Sequence, residues 1–373
     1  MDLDLPGDDD PRRQEVRAWL AAHPAPTGRQ LAEAGYVVPH WPRPWGLDAD
    51  PIEQLVIDEE LKAAGVRRPV NPIGIGWAGP TLVRAGTDEQ KDRWLWPLLS
   101  GEAMWCQLFS EPGAGSDLAS LSTAAVLDGD EWVVSGQKVW TSIAHIARFG
   151  ILLARTDRDA PKHRGISYFV CPMDSPGIEI RALVDMTGAH AFNEVFFDDV
   201  RIPADHLIGR VNHGWELAKV TLANERVSLS AEGALWGRGP TARDLVDLVG
   251  RSGGRGDAVL RQRLVTAWTE GEILGTLRQR QTVAAAAGRA RGPESSVRKA
   301  LADAHGQHLM NLGRDLAGAG AMLTGVGPTG AADTEWASGF LYSPALTVGG
   351  GTAEVQRNIV AEQVLGLPRD SSA

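Results

Sequence analysis

Apolar positions along the 373-residue chain change period twice. From Pro11 to about Leu99 they recur three and four residues apart, in "RRQEVRAWLAAH", "PIEQLVIDEELKAAG" and "TDEQKDRWLWPLLSG", the spacing that puts an apolar stripe on one side of a helix. Thr87, with Gln90 three residues on, predicts a capping box for the last of these. Asp58, Glu59 and Glu60 read as solvated helix faces. After Met104 the pattern alternates: "TAAVLDGDEWVVSGQKVWTS", "RFGILLART", "GISYFVCP", "GIEIRAL" and "NEVFFDDVRIP" are strand-like, with Asp128-Gly129-Asp130 and Ser135-Gly136 as turn signals. Asp198 and Asp199 read as a strand-end turn. Strands that follow one another without intervening helices exclude a parallel doubly wound sheet and suggest a small β-barrel.

From about Gly214 the helical period returns in four long segments: "GWELAKVTLANERVSLSAEGALWG", "DAVLRQRLVTAWTEGEILGTLRQRQTVAAAAG", "ESSVRKALADAHGQHLMNLGRDLAG" and "TAEVQRNIVAEQVLG". Segments of this length packing antiparallel predict a four-helix bundle. The stretch "RSGGRGD", 251–257, is the clearest loop. The expected fold is therefore α+β, with an N-terminal helical domain over 1–103, a central β-barrel domain over 104–212 and a C-terminal four-helix domain over 213–373.

Composition narrows the function. An apolar fraction of 43% is that of a chain able to bury a sizeable core, and a formal charge of −10 disfavours a nucleic-acid surface. Two cysteines, Cys106 and Cys171, are too few for a disulfide framework or a metal cluster. With an acidic start, "MDLDLPGDDDPRR", and no run near the roughly 20 apolar residues of a membrane span, the expectation is a cytoplasmic protein with no bound metal.

Three stretches carry candidate chemistry. In "WCQLFSEPGAGSDLAS", Pro112 removes a backbone donor, Gly113 and Gly115 permit unusual backbone angles, and Ser110, Ser116 and Asp117 supply polar groups, so the segment reads as a ligand loop or a tight turn. It matches neither a dinucleotide fingerprint nor a phosphate-binding loop with lysine. The strand end "GQKVWTS" places Trp140 beside Thr141 and Ser142, which suits a planar ring with a polar edge, or ordinary core packing. "LTVGGGTAEVQRN" runs three glycines into a helix start, where unpaired amides collect.

"FSEPGAGSD", "GQKVWTS", "FNEVFFDDVRIP", "NHGWELAKVTLANER" and "GGGTAEVQRNIVAEQVLGLP" resemble, in order and spacing, the motifs of the acyl-CoA dehydrogenase family of flavoproteins. The likeness runs from roughly Arg17 to Pro368. It implies tetramers, FAD as cofactor, and α,β-dehydrogenation of an acyl-CoA thioester, a carboxylate taking the α-proton while hydride passes to the flavin. The implied FAD contacts are Gln107, Leu108, Ser110, Gly115 and Ser116, then Trp140, Thr141 and Ser142, and Gly351, Thr352 and Glu354, with Ala353 between them. Ser116 would also touch the CoA substrate. The family's cross-subunit arginine matches Arg251, but the Phe-Gly turn expected after it is replaced by "SGGRG". An electron-transfer flavoprotein is the implied electron acceptor.

Many members carry the base directly before the Gly-Thr of the last motif. Gly350 stands there, and could offer only its backbone N–H to the thioester oxygen. A branch similar to the isovaleryl- and long-chain-type enzymes places the base on an earlier helix, at the position of Glu225. At 100° per residue Ala218, Leu222, Glu225 and Leu229 share one narrow stripe, so an acid sits on an apolar face. The competing reading is a glutamate paired with an arginine. Ala223, Asn224 and Arg226 match the family's substrate contacts, Arg226 being equally readable as a structural ion pair, while His190 and His213 have no role to fill.

Alternatives remain: a flavin-sharing partner subunit of a mixed tetramer with little activity alone, an acyl-carrier-protein dehydrogenase or flavin oxygenase on the same scaffold, or a helical scaffold without activity.

Overall fold

The computed structural model describes the chain except residues 1–5, 230–233, 237, 253–256, 287–292, 319–333 and 370–373, and the side chains of 227–229, 251–252, 282–283, 285–286 and 334. It divides into two compact units. One comprises 1–183 with 190–224; the other comprises 184–189 with 225–373.

The first unit begins with helices α1 (Pro11–Ala22), α2 (Gly28–Glu33), α3 (Pro51–Ala63), α4 (Gly79–Ala85) and α5 (Asp88–Ser100). The Thr87/Gln90 capping box forms as expected, and a second closes α2 through Thr27 and Gln30. Tryptophans fill this core, with Trp94 and Trp105 almost wholly enclosed beside Trp41 and Trp45. The acidic run on α3 differs from expectation. Asp58 and Glu59 are exposed, but Glu60 is buried, its carboxylate 2.7 Å from Arg13 and 2.8 Å from Arg17 on α1. Those guanidiniums, Arg17 foremost, hold its carboxyl below the usual range. Two arginines four residues apart on α1 share a face, which lets a buried acid join the two helices.

Eight strands follow: β1 (Trp105–Leu108), β2 (Ala124–Asp128), β3 (Glu131–Ser142), β4 (Phe149–Arg155), β5 (Ile166–Pro172), β6 (Ile178–Leu183), β7 (Phe192–Pro203) and β8 (Leu207–Ile208). They pair in the order β6-β7-β3-β2-β4-β5-β8, with β1 alongside β4. The ladders are antiparallel except β1 with β4 and the single β2–β4 pair, consistent with the barrel expectation and unlike a doubly wound sheet. β4 and β5 are buried on both faces: Ile151, Leu153, Tyr168 and Val170 join the core of the N-terminal helices, and Leu152, Ala154, Phe169 and Cys171 join the core inside the sheet. Period two thus explains how one sheet serves two cores.

Two turn readings change. Asp128-Gly129-Asp130 is the β2–β3 hairpin, but Ser135-Gly136 lies inside β3, at a register shift against β7. A Cβ on Gly136 would lie 2.7 Å from the Thr123 backbone, so the glycine marks a close approach within a bulge. Asp198 and Asp199 likewise lie inside β7; Asp199 takes φ 48° and accepts from Ser135 Oγ at 2.7 Å.

Helix α6 (Gly214–Leu229) starts in the first unit, where Thr221 Oγ1 lies 2.8 Å from Thr81 Oγ1 and 3.0 Å from the Tyr168 hydroxyl, and passes into the second after Asn224. The second unit is helical: α7 (Ala242–Ser252), α8 (Ala258–Ala286), α9 (Glu294–Ala317), α10 (Thr334–Tyr342) and α11 (Ala353–Ile359). Helices α7, α8, α10 and α11 all pack on α9. Helix α7 was not legible as a bundle element, although Leu245, Leu248 and Val249 are buried at helical spacing. Among the described residues no helix is long and apolar enough to cross a membrane, and no group of three or more His, Cys, Asp or Glu could hold a metal ion.

Candidate active site

In the first unit, two of the motifs singled out from sequence come together. The segment after β1 leaves the sheet at Ser110, whose carbonyl accepts from Val139 N at 2.9 Å. Val139 and Trp140 occupy an irregularity in β3, between Lys138 paired with Val195 and Thr141 paired with Asn193. There Trp140 takes φ 59° and stays 62% exposed, its ring edge-on to Phe192 at 6.0 Å. A tryptophan forced into the left-handed region and left facing solvent is costly for packing alone. The next residue turns inward: Thr141 is buried, and its Oγ1 has no hydrogen-bond partner among the described residues. Its carbonyl accepts from Asn193 Nδ2 at 2.9 Å. A flat exposed ring beside an orphaned hydroxyl fits the edge of a planar, polar-rimmed cofactor.

The pair that fixes this corner was missed from sequence. Glu111 and Lys138, both buried, meet at 2.9 Å. Lys138 Nζ also donates to Phe109 O at 3.0 Å, while the Glu111 carboxylate accepts from Ser122 N, Ser122 Oγ and Thr123 N at 2.7–2.9 Å. Burial opposes ionisation of Glu111, but the Lys138 charge and these donors outweigh it and hold the carboxyl down at about 2. Burial likewise draws the Lys138 ammonium down to about 8, with Glu111 opposing. Both groups therefore carry charge between those values, and the ion pair joins the loop to β3. A signal was available in principle: each of the two motifs carries one charged residue of opposite sign next to apolar positions, Glu111 after Phe109-Ser110 and Lys138 before Val139-Trp140.

Other expected residues divide. Leu108 is fully buried in the sheet core, so only its backbone is available to a ligand. Gln107, Ser110 and Ser142 are half-buried, whereas Gly115 and Ser116 are exposed. Asp117 pairs with Lys162 at 2.9 Å and accepts from Ser120, which accounts for it as a surface turn.

In the second unit the glycine loop has a defined geometry. Gly350 and Gly351 take φ of 66° and 91°, and Thr352 caps α11, its side chain accepting from Val355 N. Buried Gln356 donates from Nε2 to Gly350 O at 3.1 Å and to Gly351 O at 3.2 Å. No backbone carbonyl among the described residues accepts from the amides of Gly350, Gly351 or Thr352. The loop thus has its carbonyls engaged and its donors available. Glu354 is exposed and pairs with Arg357 at 3.3 Å.

Glu225 is 7% exposed, as the stripe with buried Ala218 and half-buried Leu222 requires; the Leu229 side chain lies outside the described residues. Burial lowers the basicity of neighbouring Arg226, and the Glu225 charge opposes that. Both residues take part in interactions. Ala223 and Asn224 are half-buried, and Asn224 Nδ2 donates back to Val220 O at 2.9 Å. Arg251 lies in the last turn of α7, with its side chain outside the described residues, as are most of "RSGGRG".

Family models for the acyl-CoA dehydrogenase N-terminal, middle and C-terminal domains match residues 10–102, 106–200 and 212–365. The chain is 39% identical to acyl-CoA dehydrogenase IpdE1 of Mycobacterium tuberculosis, over 98% of this chain and 91% of that one. It is 44% identical to acyl-CoA dehydrogenase FadE34 of the same organism, over 91% of this chain but only 46% of that longer protein. The chain belongs to the acyl-CoA dehydrogenase family. Among solved structures it resembles the "Tcur3481-Tcur3483 steroid ACAD", at 30% identity and TM-score 0.79 over 99% of this chain and 100% of that one. It also resembles the ChsE4-ChsE5 complex from Mycobacterium tuberculosis, at 28% identity and TM-score 0.78 over 99% and 100%. Members of this family are FAD-dependent oxidoreductases. The orphaned Thr141 hydroxyl and the exposed Trp140 ring of the first unit fit the planar, polar-edged ring of such a cofactor, and the glycine-loop amides of the second unit are separately available to a ligand.

Proposed function

We propose that the chain catalyses α,β-dehydrogenation of a ring-bearing acyl-CoA thioester, with Glu225 as the base that removes the α-proton. The observation that carries the assignment is the burial of Glu225 on α6 while glycine occupies the family's other base position. A buried carboxylate is screened from water, so its negative charge acts on a weakly acidic C–H without competition from solvent. The Gly350 amide donates to the thioester oxygen, where negative charge grows as the proton leaves. By the family resemblance Ala223, Asn224, Arg226 and Ser116 are assigned as contacts of the CoA substrate. By the same resemblance Thr141, Ser142, Trp140 and the 107–116 loop are assigned as FAD contacts, as are Gly351, Thr352 and Glu354, and Arg251 as the cross-subunit contact. Bound FAD supplies the acceptor for the hydride released from the β-carbon. An electron-transfer flavoprotein is the proposed external acceptor. The division into domains over 1–103, 104–212 and 213–373 is part of the same reading.

The ring-bearing substrate class rests on likeness to the steroid enzyme. Anaerobic flavin bleaching with a panel of acyl-CoAs tests it: thioesters of steroid side chains or ring fragments are expected to bleach at least tenfold faster than straight chains. The reverse ranking would contradict the substrate class while leaving the reaction intact.

A second reading is favoured by the altered "RSGGRG" element and by the two-component names of the similar structures. It makes the chain one of two different subunits in a mixed tetramer. On that reading the chain expressed alone is colourless and gains FAD on co-expression with a relative. A yellow, active homotetramer would exclude it.

A further inference from the structure

We propose that Gln356 is a positioning residue that aims the amides of the glycine loop. A trans peptide holds its N–H opposite its C=O. By drawing the carbonyls of Gly350 and Gly351 onto its Nε2, at 3.1 and 3.2 Å, buried Gln356 turns the amides of Gly351 and Thr352 away from itself. The stem before the loop is pinned separately. Lys299 Nζ, wholly buried, pairs with Asp303 at 2.6 Å and donates to Leu346 O at 3.3 Å. Gln307 Nε2 donates to Ser343 O and Thr347 Oγ1, and Trp236 closes over Gly349, where an added Cβ would lie 2.6 Å from its ring. With the stem fixed, the facing of the last two peptide planes depends on Gln356. The arrangement needs positive φ at Gly350 and Gly351, which glycine adopts without steric penalty.

The inference deepens the reading of this loop as a wall of the cofactor and thioester site, and its test separates the two. Gln356→Met keeps length and helix propensity but removes both donors. In the assembled flavoprotein it is expected to raise the FAD dissociation constant about tenfold or more, while the red shift of a bound enoyl-CoA carbonyl stretch, which reports the Gly350 amide in the preceding peptide, stays near the wild-type value. Gln356→Glu guards against a variant that merely misfolds. Its ionised carboxylate would repel the two carbonyls, but the protonated acid can donate again, so FAD affinity is expected to recover as pH falls. Unchanged FAD affinity in Gln356→Met, or loss in Gln356→Glu without recovery at low pH, would overturn the positioning role. A wild-type protein that binds FAD but gives no carbonyl shift would instead contradict the assignment of the thioester oxygen to this loop.

Discussion

Glu225→Gln is expected to keep its yellow flavin and to lose acyl-CoA-dependent flavin bleaching by about two orders of magnitude or more. Glutamine preserves the volume and much of the hydrogen bonding of glutamate but cannot take a proton from carbon. The change should leave α6 in place, because the helix is tied through Thr221 to Thr81 and Tyr168 and through Ala218 to the first core. Flavin retention is therefore the internal control, since the proposed FAD contacts do not include Glu225. Bleaching within a fewfold of wild type would remove Glu225 from the mechanism and revive its reading as the partner of an arginine.

The second large effect concerns stability. Lys138→Met leaves the Glu111 carboxylate buried without its counter-charge, which costs about 3–5 kcal/mol, enough to lower Tm by on the order of 10 °C. The double variant Glu111→Gln with Lys138→Met removes both charges and is expected to recover much of that loss. The pH dependence has a definite sign. Glu111 is depressed from 4.5 to about 2, so its contribution is present above the unfolded value and is lost as pH falls from about 4.5 towards 2. Wild type should lose stability across that window more steeply than the double variant. Denaturant unfolding of the three proteins at several pH values checks both effects. A single variant within about 1 kcal/mol of wild type would show that the pair is not what holds the loop to β3. Because Lys138 immediately precedes the Val139–Trp140 irregularity, loss of bound FAD is expected to accompany the destabilisation.

The parts of this molecule legible in the sequence are those fixed by local rules. The Thr87/Gln90 box, the Asp128–Asp130 hairpin and the long helical stripes each depend on neighbours within a few residues. The local string placed Trp140 beside Thr141 but left ring platform and core packing both open; that Trp140 is exposed and Thr141 buried needed the fold. What stayed hidden depends on partners remote in sequence. Glu60 looks like a surface acid until Arg13 and Arg17 are brought 43 to 47 residues back to it. Glu111 and Lys138 are 27 residues apart, and either charge alone suggests solvent exposure. Ser135-Gly136 has turn chemistry, yet its conformational freedom is used for a bulge beside Thr123. Gln356 sits in a polar run, and only the folded loop shows that both its donors face inward. The family likeness singled out the motifs proposed for cofactor and substrate, whereas the pairs that hold those segments required the fold.

The central claim is that Glu225 takes the α-proton, and the most direct measurement follows that proton alone. An acyl-CoA whose β-carbon bears no hydrogen cannot release hydride, so exchange of its α-deuterium with solvent isolates the proton-transfer step. The wild-type flavoprotein is expected to wash out the α-deuterium, and Glu225→Gln to do so about a hundredfold more slowly or less. Exchange at the wild-type rate by Glu225→Gln would contradict the account.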